Sequence, residues 1–390
     1  MPSLRTLFLS SLAVAGVTNA ATCKNDYSID SDGDVSKLVG CDTVTGSITV
    51  GSNVGMLEMP DVQVIQGDFN VKGAAGLVSI SAASLRTISG GFNLQGLIIL
   101  QTLSCPQLTK VGTINWVTLP ALRALEFTAE VTECAEVLIT DTLLSSLDGI
   151  NLQTCNIFNV NNNKQLKTVN VALGNVTNAL SVEFNSKNVD VSFPNLVWAR
   201  NITVRDAGTA SFPKLSYVNQ TIAFINNTFE SVSFPALTQV GQSFTFNSNT
   251  KLTNITADDL ETIGGTFQLA NNTKLVVIDG FKSLTTVEGS IDFSGSFTNA
   301  SLPVLDDVRG GFNVQTTAEF SCTQFDGYHS NGVIKGDGYK CAGKLDEAKS
   351  ATGGASTSGK GGKSDDGSAA TRAGVSVLAL FAAVAAMLVL

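Results

Sequence analysis

Chemistry on a chain of short β segments would be sought first among carboxylates, since cleaving a glycosidic bond takes two of them converging on one site. Asp68, Asp141, Glu183, Asp190, Asp206 and Asp292 are the candidates, and they fall singly in different registers of the sequence. No acidic column emerges, and no residue is assigned a catalytic role. The single histidine, His329, has no Ser or Cys partner nearby in sequence and reads as a surface residue rather than a base. Neither a phosphate loop nor a GxSxG elbow occurs. "DSDGD" at 30–34 resembles the opening of a calcium loop but lacks the bidentate Glu that completes one. With no CxxC or Cys/His pattern, no metal or cofactor is expected. Trp116 in "INWVTLPAL" and Trp198 in "FPNLVWARN" could stack on sugar rings if exposed, although their apolar neighbours read as core.

What positions these residues is a long, apolar chain. It has 390 residues, 43% apolar and 15% charged, which is ample for a sizeable core and too apolar for disorder. The formal net charge of −9 argues against a nucleic-acid partner. Residues 1–20 carry Arg5, an apolar run from Leu7 to Val17, and small residues at Thr18 and Ala20, which reads as a signal peptide cleaved after Ala20. Val375–Leu390 is an uncharged apolar tail of 16 residues, shorter than the roughly 20 that a bilayer span needs. Small residues and a polar spacer precede it, so it reads as a GPI-attachment signal rather than a tail anchor. Gly367 is the expected attachment residue, with Asp366 and Ser364 as alternatives. Removing both ends takes two arginines from the 24 basic residues and no acid from the 33, which moves the charge to about −11.

Between the ends lies a repeat. A Leu or Val is followed three residues later by Ile or Val, then Gly, then Phe or Ile. It reads Val62-Ile65-Gly67-Phe69, Leu85-Ile88-Gly90-Phe92, Leu237-Val240-Gly241-Phe244 and Leu260-Ile263-Gly264-Phe267. Leads at 215, 237, 260, 284 and 305 are spaced 22, 23, 24 and 21 residues, the period of a solenoid. Seven of the eight prolines fall two residues before a lead, which marks strand starts or corners. Asn163, Asn227, Asn249 and Asn272 each stand five residues after the Ile/Phe position. They predict a column of asparagines at left-handed corners, bonded through stacked amides. "ADDLETI" near 257 is the one short helix candidate. Residues 46–320 hold about twelve coils, a rod of about 60 Å. Before them comes a cap (21–45). After them come a second cap (321–342), a flexible Gly/Ser-rich linker (343–367) and the removed propeptide (368–390).

Secretion makes disulfides available, and there are seven cysteines. Cys23 with Cys41 and Cys322 with Cys341 stand at the two ends, where an open stack needs closing. Cys134 and Cys155 lie one coil apart and are expected to pair, leaving Cys105 as a buried thiol; a Cys105–Cys134 pair is the alternative. Seven N-glycosylation sequons, Asn175, Asn201, Asn219, Asn226, Asn254, Asn271 and Asn299, all fall between residues 175 and 299.

The stretches "CPQLTKVGTINWVTLPAL", "LSSLDGINL", "NVTNAL" and "VDVSFPNLVWARNITV" resemble the fungal GPI-anchored cell-wall organisation family. That family is related to sporulation-specific wall proteins and similar to the receptor L-domain superfamily. The resemblance covers nearly the whole mature chain. It implies an all-β fold: a right-handed parallel β-helix, or leucine-rich-repeat-like solenoid, with coils of about 22–24 residues. It also implies attachment to the plasma membrane through a GPI lipid and a place in the cell wall, and no established enzymatic activity comes with it. The anchor at Gly367, the sequons and the end cysteines are what it carries over. The expected function is organisation of the wall by a non-enzymatic glycoprotein that holds cell-wall polysaccharide or mannoprotein. A carbohydrate-active β-helix enzyme and an adhesin or receptor-like binder are the alternatives.

Overall fold

A computed structural model describes residues 21–351 of the chain. The expected signal peptide, the propeptide and the candidate anchor residues Gly367, Asp366 and Ser364 lie outside the described residues. The coil beginning at Pro235 shows how the sequence dictates the unit. Pro235 sits in a turn, where its missing N–H costs no ladder bond. Leu237 and Val240 then point into the core, as do Phe244 and Phe246 after the bend at Gly241, while Thr245 and Asn247 point outward. A corner at Ser248–Asn249 leads to the opposite wall at Asn254–Thr256. One coil buries too little by itself; each inward residue packs against its copies above and below.

The coils stack as a parallel β-solenoid. Its main ladder runs from Tyr27–Ser31 to Tyr339–Ala342 through fourteen successive parallel pairings, with Phe244 opposite Ile222 on one side and Phe267 on the other. Stacked in register, the inward side chains form aromatic columns, with Phe224 and Phe246 ring to ring at 5.0 Å and Phe267 against Phe293 at 4.9 Å. The recurrent glycine is demanded by the same stacking. A Cβ on Gly310 would lie 2.6 Å from the carbonyl carbon of Gly289 on the preceding coil, closer than any real Cβ sits.

The asparagine column forms, with a different division of labour from the one expected. The left-handed residue is the one before the ladder asparagine: Asn162, Asn226, Ser248 and Asn271 have φ of 57–59°. The ladder residues Asn163, Asn227, Asn249 and Asn272 are themselves buried. Each amide oxygen accepts from the coil before it: Asn249 Oδ1 takes both Asn227 N and Asn227 Nδ2 at 2.9 Å. Asn249 Nδ2 donates on to Phe224 O and Asn272 Oδ1, both at 3.0 Å. Asn185 belongs to the column as well, accepting from Asn163 N at 3.0 Å. It escapes the sequence pattern because its coil opens on Leu180 rather than Ile or Phe. Ala207 takes the next position and interrupts the side-chain chain, although its N–H still reaches Asn227 Oδ1 at 2.9 Å.

"ADDLETI" is not helical. Ala257 and Leu260 are buried coil positions and Asp258–Asp259 form the turn between them, so stacking overrides the local preference. The ends are closed as the cysteines suggest, by Cys23–Cys41 and Cys322–Cys341. At the C-terminal end the helix Thr323–Ser330 lays Phe325 on Phe312 at 5.1 Å. At the other end "DSDGD" runs from the end of the strand Tyr27–Ser31 into the 3-10 turn Asp32–Leu38. Its acids are committed to closing that end. Asp34 accepts from Ser31 N at 2.9 Å and pairs with Lys37 at 2.7 Å, and Asp32 accepts from Gly55 N at 2.8 Å.

The expected Cys134–Cys155 bridge is not made: both are buried free thiols, as is Cys105. The register that pairs Glu136 with Ile157 puts Cys134 and Cys155 at equivalent positions on neighbouring rungs. Side chains in that relation stand about 4.8 Å apart and point the same way, whereas a disulfide wants Cβ atoms about 3.8 Å apart. Each thiol donates to a carbonyl instead, Cys134 to Glu136 O at 3.1 Å and Cys155 to Ile157 O at 2.8 Å. Burial pushes the Cys105 and Cys155 thiols up to about 12 and that of Cys134 to about 11, which suppresses their reactivity.

Alkylation of the unfolded, unreduced protein should therefore label Cys105, Cys134 and Cys155; a linked Cys134–Cys155 peptide would contradict this arrangement. Replacing Asn249 by Ala strands the Asn227 amide and the Phe224 carbonyl, and should lower stability to urea by roughly 2–5 kcal/mol. Hydrogen bonds from the Lys37 and Ser31 side chains hold the Asp34 carboxyl down at about 2. A depressed carboxyl stabilises the fold above its unfolded value and loses that contribution as pH falls through the folded one. Wild type should thus melt above Asp34→Asn at pH 7, and the difference should vanish as pH drops from about 4 to about 2.

Candidate functional site

Alternation along the main ladder leaves two columns of outward side chains. The first runs from Asn70 through Asn93, Asn115, Leu138 and Asn159 to Ser181, and later through Thr245 and Gln268 to Asp292 and Asn313. The second carries Gln95, Val117, Thr140 and Asn161 beside the same rungs, then Glu183 and Arg205. Amides and hydroxyls bond along and across these columns. Asn93 Nδ2 donates to Asn70 Oδ1 at 2.8 Å, Thr140 Oγ1 to Asn161 Oδ1 at 2.6 Å, and Asn161 Nδ2 to Asn159 Oδ1 at 2.8 Å. Asn115 Oδ1, in the middle of the run, is shielded and has no partner.

Of the carboxylates weighed in the sequence, Asp68, Glu183, Asp190, Asp206 and Asp292 hold structure, and the six do not converge. Asp68 accepts from Gly91 N at 2.7 Å and Asp190 from Thr209 Oγ1 at 3.0 Å. Glu183 pairs with Arg205 at 3.3 Å, whose guanidinium lies 4.8 Å over the exposed Phe184 ring. Asp141 and Asp206 occupy the same left-handed corner three coils apart, about 14 Å, beyond the reach of a two-carboxylate mechanism. Asp292 is buried under the segment Lys349–Ala351. Burial raises its carboxyl, but hydrogen bonds from Ser350, Asn313, Ala351 and Gln268 outweigh that and hold it below the usual range.

That segment was not visible as structure in the sequence, where it opens the Gly/Ser-rich stretch. Lys344 N donates to Ala318 O at 2.8 Å, and Lys349 O accepts from Asn313 Nδ2 and Gln315 Nε2, both at 2.9 Å. Ala351 N reaches Asp292 Oδ1 at 3.1 Å, and Ser350 Oγ bonds the other oxygen. It crosses the final rungs of the outward face as a strap.

Trp116 is removed as a sugar-stacking residue. It is fully buried between Phe92 and Phe127, because the alternation of its strand turns it inward. Trp198 is half-buried on the short strand Trp198–Ala199, next to Tyr217 on the following coil. His329 is exposed and lies flat on Tyr339, 4.4 Å between ring centres. Among the described residues no group of three His, Cys, Asp or Glu side chains comes together as a metal site. Six sequon asparagines are exposed. Asn201 is half-buried, with Nδ2 donating to Gln220 Oε1 at 2.9 Å. Asn226 and Asn271 take the left-handed corner position next to the outward columns.

No family model matches the chain, and no solved structure does. Curated relatives do. It is 38% identical to the protein ecm33 of Aspergillus fumigatus over 338 residues, 85% of this chain and 84% of that protein. With a cell surface GPI-anchored protein of Arthroderma benhamiae it shares 35% identity over 84% of the chain and 85% of the relative. With the cell wall mannoprotein PST1 of Saccharomyces cerevisiae it shares 34% over 79% and 69%. Among the described residues no helix is long and apolar enough to cross a membrane. Repeat, capped solenoid and similarity over about four fifths of the chain or more agree, and the chain belongs to the fungal GPI-anchored cell-wall protein family.

Proposed function

We propose that this is a non-enzymatic glycoprotein of the fungal cell surface that organises the wall and maintains its integrity. A GPI lipid at Gly367, with Asp366 or Ser364 as alternatives, holds it to the plasma membrane. Glycans at Asn175, Asn201, Asn219, Asn226, Asn254, Asn271 and Asn299 clothe the C-terminal half. The solenoid acts by presentation, offering a long, rigid surface to wall polysaccharide or mannoprotein.

The observation that carries this reading is the use made of the acids. Asp32, Asp34, Asp68, Asp190, Glu183 and Asp292 each bond a backbone amide, a hydroxyl or a cation that holds the stack together. Carboxylates so committed, and separated by whole coils, support holding rather than cutting. The half-buried Trp198 beside Tyr217 remains available as a contact for sugar.

A chain truncated after Gly374 should pass into the medium, and the released protein should leave wall glucan uncut. Retention on the membrane would defeat the anchor. Sustained hydrolysis abolished by one carboxylate substitution would replace presentation with the enzyme alternative.

A further inference from the structure

We infer that the outward face of the main ladder between the rungs of Asn70 and Asn159 is a docking track for one extended chain of a neutral polysaccharide. The inference rests on the wall-organising reading and sharpens it to one surface and one class of ligand. Four of the five outward positions in the first column are amides, Asn70, Asn93, Asn115 and Asn159, at the strand spacing of about 4.8 Å. All four are partly exposed. An amide carries both a donor and an acceptor, which is the complement of a sugar hydroxyl that is itself both. A column of them repeats that complement at intervals close to the rise of an extended chain of hexoses.

Charge points the same way. In a chain of net charge −9, the two columns over these rungs carry Lys72 alone, and the outward position that flanks them adds Glu136, whose carboxylate accepts from Asn156 Nδ2 at 3.0 Å, so the two charges on the face cancel. Such a face neither attracts a polyanion nor repels a neutral chain. The amides are also not fully spent on each other. Asn115 Oδ1 has no partner, so turning that amide toward a ligand hydroxyl sacrifices no hydrogen bond at the oxygen.

Two further features leave this stretch open. Every sequon lies at residue 175 or beyond, so no N-glycan is attached to the coils that carry the amides. The strap covers the same two columns only at the other end. It does so by the chemistry inferred here, since Asn313 and Gln315 amides hold an extended polar chain through its oxygen.

The test uses the mature protein solubilised from the fungal surface, titrated with neutral β-glucan oligosaccharides of increasing length, with mannan and with a uronic-acid polymer. Binding of the neutral glucan should strengthen with length until the track of about 19 Å is filled. The triple variant Asn93→Ala, Asn115→Ala, Asn159→Ala should bind at least tenfold more weakly at unchanged melting temperature. Footprinting of the wild type with bound glucan provides a second measurement should the variant fold poorly. Protection should centre on residues 69–72, 92–95, 114–117, 137–140 and 158–161. Glucan binding that the variant retains, or protection elsewhere, overturns the track and leaves the wall-organising reading intact. Tighter binding of the uronic-acid polymer overturns the choice of a neutral ligand, whereas mannan protecting the same residues supports it. A strain lacking the protein whose wall is normal would sink the wall-organising reading itself.

Discussion

Every part of this molecule depends on parallel, in-register stacking of one coil on the next. A rung has no backbone partners of its own; Phe244–Asn247 is satisfied only by the rungs at Ile222 and Phe267. Because the register repeats, whatever residue a coil places at a position faces its counterpart about 4.8 Å above and below. That relation converts a sequence repeat into columns. Phenylalanines become aromatic stacks, glycines become lines where backbones touch, and buried asparagines become a hydrogen-bonded ladder at the corner.

The same relation explains why polar residues appear in the interior at all. A turn between two walls leaves backbone groups that no strand can satisfy, and burying them bare is costly. Asn163, Asn227, Asn249 and Asn272 supply one donor and one acceptor to each corner, and every amide serves two coils. Where the column meets Ala207, only the backbone bond to Asn227 continues it. The outward columns follow the opposite logic. Away from the strap their amides are partly exposed, and their bonds to each other are side-chain matters that a ligand can exchange.

Much of this was legible in the residues because a solenoid writes its geometry as a period. Lead positions, bend glycines, turn prolines and the end cysteines all stand where the repeat predicts them. The departures share a cause: they depend on neighbours in space rather than on spacing. Asn185 follows Leu180, which breaks the Ile/Phe template while filling the same place. The left-handed φ sits one residue earlier than the asparagine that suggested it. Cys134 and Cys155 are one coil apart as expected, yet parallel stacking keeps their side chains side by side and unbonded. Of the candidate site, the two tryptophans were visible and only Trp198 reaches the surface. The amide columns were present in the text of each coil, but alternation had to be anchored by the fold before they could be seen as one face.

The strap has a mechanical consequence. The described chain does not end at the closed tip at Cys341; it turns back, and Ser350 and Ala351 are bonded to Asp292 and Gln268, two and three rungs inward. Tension applied through the C-terminal end is therefore delivered to the side of the stack. Tension that reaches Ala351 passes through the bonds to Asp292, Gln268, Asn313 and Gln315 before it reaches the disulfide-closed cap. A rod tethered in this way resists unravelling from the end at which it is pulled.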